Sequence, residues 1–154
     1  MLDIALMHAP DDDLRLLVGE LNDELGALYS VEQRHGLALD ALFEPHIRFF
    51  VARADGQAAG CGGVALFDGF AEIKRMYVRP NLRGRGIADA IMTRLIAETA
   101  QTGLKLLKLE TGVYSGAAIQ FYRRSGFVIC GAFEPYTAMP SQAIVTSVFM
   151  EMRV

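Results

Sequence analysis

The stretch Glu72-Ile-Lys-Arg-Met-Tyr-Val-Arg-Pro-Asn-Leu-Arg-Gly-Arg-Gly-Ile-Ala88 holds residue types that can bind an anion. Its pattern is a strand, a Pro-Asn turn and a glycine-rich helix start. The turn brings Arg83, Gly84, Arg85, Gly86, Ile87 and Ala88 to one spot. The first N–H groups of a helix have no intrahelical partner and lie at the positive end of its dipole. Phosphate binds at such a place. Glycine lets the backbone approach a bulky anion, and the two arginines add charge. The plainer alternative is an exposed helix start whose arginines keep it soluble. No Gly-Lys-Ser/Thr follows, which excludes a Walker P-loop. Gly84-x-Gly86 runs into Asp89 instead of a third glycine, so the dinucleotide pattern fails too.

A second block, Ser115-Gly-Ala-Ala-Ile-Gln-Phe-Tyr-Arg-Arg-Ser-Gly-Phe127, lies downstream. Taken alone, its Tyr122 is a core tyrosine of an amphipathic helix, beside Phe121. Arg83-x-x-Gly86-x-Ala88 resembles the acetyl-CoA pyrophosphate signature of the GNAT superfamily of N-acetyltransferases. The match includes the preceding strand and Pro80. The second block resembles the superfamily's short helix that carries a tyrosine and ends at Gly-Phe.

The resemblance implies acetyl-CoA as co-substrate, with its pyrophosphate on residues 83–88. It implies that the strand holding Met76, Tyr77 and Val78 splays from its parallel neighbour. The freed backbone would pair with the pantetheine arm and offer an N–H to the thioester carbonyl. The side chains of these three residues belong to the core. Tyr122 is implied near the CoA sulfur, where a phenol, with a reference pKa of about 10, can protonate or stabilise a leaving thiolate. Many members carry asparagine where this chain has Ser115. The serine departs from that pattern, though it can cap its helix. An attacking amine has a reference pKa near 10.4 and must lose a proton. Phe70-Ala-Glu-Ile73 resembles the version in which a strand glutamate, here Glu72, takes it. Glu72 paired with Lys74, Arg75 or another cation is the alternative. Glu110 is a rival base, and a water chain is a third route. The acceptor is expected between loop 29–36, with Tyr29, Glu32, Arg34 and His35, and loop 134–142, with Tyr136. Each of these is otherwise a solvated loop residue.

Several elements must position those groups. Residues 2–7 form an apolar run and a first strand. Pro10 and Asp11-Asp12-Asp13 suit a helix start. Leu14, Leu17, Val18, Leu21, Leu25 and Leu28 then recur at helical steps, predicting a helix over 11–28. A short helix is predicted over 37–43. Strands follow at 48–54, 58–67 and 70–78, separated by the hairpin signals Asp55-Gly56 and Asp68-Gly69. Glycines 60, 62 and 63 either weaken the middle strand or mark a close backbone approach. A helix from 84 to about 102 is capped by Gly103. The strand at 104–110 must lie parallel to the one before that helix. After the short helix, 127–133 and 143–152 are the last strands, with a loop over 134–142. The order is βααβββαβαββ, an α+β fold with a mixed central sheet that matches the GNAT order.

At 154 residues the chain suits one N-acetyltransferase domain over 1–154. Hydrophobic residues make up 52% and charged ones 21%, which excludes a disordered chain. A net charge of −3 offers no basic excess for nucleic acid as main partner. The longest uncharged run, 135–150, contains two prolines and polar residues and does not suit a bilayer span. Met-Leu-Asp-Ile-Ala-Leu-Met-His lacks a signal peptide's basic start. Cys61 and Cys130 suit buried free thiols without metal-ligand spacing, and a reducing compartment. The expectation is a cytoplasmic acetyltransferase, without a metal, acting on a primary amine of a small molecule by direct attack in a ternary complex. Acetylation of a protein lysine or N-terminus, and non-catalytic acyl-CoA sensing, are the alternatives. Apolar final strands also suit a homodimer.

Overall fold

A computed structural model describes residues 1–154. Its strands are β1 (Leu2–Leu6), β2 (Ile47–Ala54), β3 (Gln57–Leu66), β4 (Ala71–Val78), β5 (Leu106–Gly112), β6 (Val128–Cys130) and β7 (Ser147–Arg153). Its helices are α1 (Asp12–Gly26), α2 (Ile87–Gln101), α3 (Gly116–Ser125) and α4 (Ser141–Ile144). All seven strands share one sheet in the order β1-β2-β3-β4-β5-β7-β6. Only β4 and β5 are parallel neighbours, because α2 crosses between them. No helix is long and apolar enough to cross a membrane.

α1 starts where its carboxylates predict. Asp11 accepts from the Leu14 N–H at 2.9 Å, and Asp12 and Asp13 occupy the first turn. Asp11 and Asp13 also each hold Arg53 at 2.8 Å, which ties the helix start to β2. Leu14, Leu17, Val18 and Leu21 pack on Phe49, Val51, Cys61 and Tyr77 of one sheet face. On the other face, Ile87, Ile91 and Leu95 of α2 and Tyr122 of α3 pack on Phe50, Val64, Ile73 and Leu109. Each such side chain contributes ~1.5–3 kcal/mol by leaving water. The two layers hold β4 firmly on both faces.

That hold matters because β4 is irregular. Cys61 faces Tyr77 and Gly63 faces Lys74, so Arg75 and Met76 together oppose Gly62. The extra residue is a β-bulge, and Arg75 takes its left-handed position with φ 56°. The glycines of β3 mark close approach here. A Cβ on Gly62 would lie 2.9 Å from Met76 Sδ, and one on Gly60 would lie 2.6 Å from Tyr77 O. β4 pairs with β5 only through Ala71–Leu107 and Glu72–Lys108. Beyond those two pairs the strands part.

The structure has the α+β class and mixed sheet read from the sequence, with four differences in detail. Residues 37–43 hold only a 3-10 turn at Asp40–Phe43. Loop 134–142 contains a 3-10 turn at Tyr136–Ala138 and the start of α4, so β7 begins at Ser147 instead of 143. β6 ends at Cys130, well short of 133. α2 begins at Ile87 because Gly84 and Gly86, with φ 79° and 80°, lie outside the helical basin.

Candidate active site

A cleft of about 450 Å³ fills the gap between β4 and β5. Its walls are residues 72–78 of β4, 109–112 of β5, residues 114–118 with Phe121 and Tyr122 at α3, and the end of α1 with residues 33–36. Tyr136 closes one side. Alternation along the strands sets which side chains meet. Ile73 and Leu109 point into the α2 layer, so Glu72, Lys74 and Glu110 point the other way.

Glu72 is 1% exposed and sits in a tight polar cluster. Its Oε2 accepts from the Tyr136 hydroxyl at 2.5 Å and pairs with Lys74 Nζ at 3.0 Å. Lys74 also donates to the Tyr136 hydroxyl at 3.1 Å. Burial, then the Glu72 charge, pushes the Tyr136 phenol far above its ordinary range. Glu72 therefore has the Lys74 partner that the sequence left open. Glu110 is half-buried, and its Oε2 accepts from Ser147 Oγ at 2.6 Å. Burial pushes its carboxyl up to about 7, against the opposing pull of Ser147 and Lys74.

Tyr122 lines the cleft from α3, with its ring among Phe121 and Phe127. Its hydroxyl makes no hydrogen bond to the protein. Burial holds that phenol well above its usual range, and the Glu110 charge adds to the effect. Met76, Tyr77, Val78, Arg83, Ala88 and Ser115 also line the cleft, whereas Gly84, Arg85, Gly86 and Ile87 stand just outside it at the α2 start. Arg83 turns back toward the body of the protein. It donates to Val78 O at 2.9 Å and pairs with Glu24 at 2.9 Å. Arg85 is exposed and has no ion partner, so it is the free arginine of the pair.

Two sequence expectations are corrected. Ser115 stands at the N-cap of α3, but its side chain does not cap it. Its hydroxyl instead bonds the Tyr29 hydroxyl at 2.9 Å. The Tyr29 oxygen also accepts from the Tyr114 N–H at 3.0 Å, which ties loop 29–36 to α3. Glu32 is exposed and does not line the cleft. Tyr29, Arg34, His35, Glu110 and Tyr136 do line it, and His35 Nε2 lies 2.7 Å from Ala143 O of α4.

The sequence alone offers Lys74 and Arg75 only as partners of Glu72. The alternation Glu72-x-Lys74 carries a signal for the first, since both must share a strand face. The bulge that redirects Arg75 leaves no such trace. Nor does the contact of Ser147 with Glu110, which depends on how β7 pairs with β5.

The sequence profile of the acetyltransferase (GNAT) family matches residues 14–127, which includes most of α1, the bulged strand and the cleft walls from both β4 and β5. The chain belongs to the GNAT family. As a GNAT protein it is an acyltransferase enzyme. It is 43% identical over 137 residues to an IAA acetyltransferase of Azospirillum brasilense, covering 88% of this chain and 86% of that protein. A candidate acyl-CoA N-acyltransferase from Klebsiella pneumoniae superposes with a TM-score of 0.80 at 30% identity, over 99% of this chain and 97% of the other. A GNAT acetyltransferase from Elizabethkingia anophelis, solved with acetyl-CoA bound, shares the fold at 17% identity, with a TM-score of 0.68 over 99% and 98% of the two chains.

Proposed function

We propose that this GNAT chain moves the acetyl group of acetyl-CoA to a primary amine of a small molecule, by direct attack in a ternary complex. The observation that carries the reading is the parting of β4 and β5, with Glu110 and Tyr122 in the gap and the α2 start at its end. The residues at that start suit a pyrophosphate. The N–H groups of Gly84, Arg85 and Gly86 donate to no backbone carbonyl, nothing lies within 4 Å of a Cβ built on either glycine, and Arg85 has no ion partner. The acetyl-CoA carried by a protein of the same fold supports this choice of donor.

Glu110 is the proton acceptor in this reading. A base must be free of its proton at working pH yet able to take one, and a carboxyl near 7 does both. Glu72 is committed through Oε2 to Lys74 and Tyr136, so it serves to orient the amine. As the C–N bond forms and the C–S bond breaks, the amine proton passes to Glu110. The departing thiolate meets the Tyr122 hydroxyl. A thiol titrates near 8.5, far below this buried phenol, so full proton transfer from Tyr122 would run uphill. Tyr122 donates a hydrogen bond instead, and the thiolate later takes its proton from solvent. The backbone N–H groups of Met76 and Val78, which face away from β3, supply the oxyanion contact. The burial of Glu72 and Tyr136, each 1% exposed, favours a small acceptor over a folded protein surface. The name of the Azospirillum relative points the same way.

The test is thiol release from acetyl-CoA across amino acids, polyamines, aminoglycosides and lysine peptides. Amine-dependent release is expected, with kcat lower by about tenfold in Tyr122→Phe, the scale of one lost transition-state hydrogen bond. Release with peptides alone would move the acceptor to proteins. A flat panel from a folded protein that still binds acetyl-CoA would favour a sensor.

A further inference from the structure

Two buried side-chain polar atoms lack a partner in this fold, Glu72 Oε1 and Arg75 Nε. Buried polar groups are nearly always hydrogen-bonded, since an unmet one bears its full desolvation cost. Here both orphans belong to β4, both residues line the same cleft, and they carry opposite charge. Neither is a loose side chain. Glu72 is fixed by Lys74 and Tyr136. Arg75 donates from Nη2 to Asn22 Oδ1 of α1. Gly36 packs on its guanidinium so closely that a Cβ there would lie 2.0 Å from Nη1.

We propose that the acceptor carries a carboxylate beside its reactive amine, with Arg75 receiving the carboxylate and Glu72 the amine. This rests on the transferase reading above and names the acceptor class within it. The acceptor is then an amino carboxylate. Arg75 forms no ion pair within the chain, although every other arginine of the β4 strand and the turn after it does, Arg85 excepted. Burial lowers its guanidinium from the ordinary value, as expected of a cation left without a counter-charge. Arg34 lines the same cleft and also has no ion pair, which adds to the positive side. The bulge explains how Arg75 arrives there. In a regular strand, Arg75 would point away from the face that Lys74 shares with Glu72. The inserted residue redirects it toward α1, at the cost of a left-handed backbone with φ 56° that arginine rarely adopts. A guanidinium fork matches a carboxylate in shape as well as charge. A polyamine or plain alkylamine would leave Arg75 unmet and bring a second cation near it.

The test compares each free amino acid, α and ω, with its own methyl ester in the thiol-release assay. The free acid is expected to have a kcat/KM about 10- to 100-fold above its ester, because the ester leaves a charged donor unpaired. In Arg75→Met that ratio falls toward one, and Arg75→Lys restores part of it. A purely structural role for Arg75 would lower both substrates alike and leave the ratio where it was. That result, or esters and polyamines used as well as free acids by the wild type, overturns the inference while transfer itself stands. No release with any amine, from folded protein that binds acetyl-CoA, overturns both.

Discussion

Glu72 and Glu110 stand on neighbouring strands and share one cleft, yet their surroundings prepare them for different work. Glu72 has a cation and a phenol on one oxygen; Glu110 has only the Ser147 hydroxyl and a poorly solvated setting. The consequence for Glu110 is a carboxyl raised from 4.5 to about 7. The folded chain thus holds that proton more tightly than the unfolded one does. The stability this gives is present at low pH and is lost as pH rises from 4.5 through 7. Glu110→Gln should therefore melt a few degrees higher than wild type at about pH 8, with the difference gone in acid. Its kcat/KM should fall about 100-fold or more, and the rise of wild-type kcat/KM between about pH 6 and 8 should disappear. Persistence of that rise in the variant would remove Glu110 from the proton path. The sequence put Glu72 first as the base and Glu110 second, the reverse of the order proposed from the geometry. Their difference lies in Lys74, Tyr136 and Ser147, of which the last two arrive from distant segments.

β4 and α2 make the site, one by departing from ideal geometry and the other by starting late. The α2 start depends on Gly86, whose φ of 80° serves as N-cap. Gly86→Ala would force a left-handed alanine, at about 1–2 kcal/mol, and so strain the backbone that presents the N–H groups. Affinity for acetyl-CoA, measured by calorimetry, should weaken about tenfold or more with only a small loss of melting temperature. Arg85→Ala should weaken binding by a few-fold at low salt, and the difference should vanish near 1 M salt as screening sets in. An unchanged affinity in both would place the pyrophosphate elsewhere. The Gly-Arg turn before this helix was legible in the sequence because glycine acts there through local backbone geometry, though the helix itself begins three residues later than its pattern predicts. So were α1 and the hairpins, which follow from leucine spacing and Asp-Gly turns. The bulge was not, since it arises from a register mismatch between β3 and β4. The turn at Asp40–Phe43 was not legible either, because apolar spacing alone cannot tell a 3-10 turn from a helix.

The molecule as a whole decides whether the acetyl group passes directly or through the enzyme. α1 covers one sheet face, α2 and α3 cover the other, and the parted strands join the two sides. Glu72 and Glu110 come to the gap on the α1 side, and Tyr122 comes from α3. An acceptor and an acetyl-CoA can thus meet through the sheet at the same time. A covalent relay through cysteine would need a thiolate in that gap, and neither cysteine lines it. Cys61 lies in the α1 core, where burial pushes its thiol up to about 12, and its Sγ donates to Arg75 O at 3.4 Å. Cys130 sits on β6, with its thiol raised by burial as well. A thiol that stays protonated is a poor nucleophile. Initial rates measured against both substrates should therefore give intersecting double-reciprocal lines. Radiolabelled acetyl-CoA incubated without acceptor should leave no acetyl group on the protein. A variant carrying both Cys61→Ala and Cys130→Ala should keep its kcat within about threefold, with any cost appearing as a lower melting temperature from the cavity at Cys61. Parallel lines, or label retained by the wild type and lost in that variant, would show that the acetyl group stops on the enzyme before it reaches the amine.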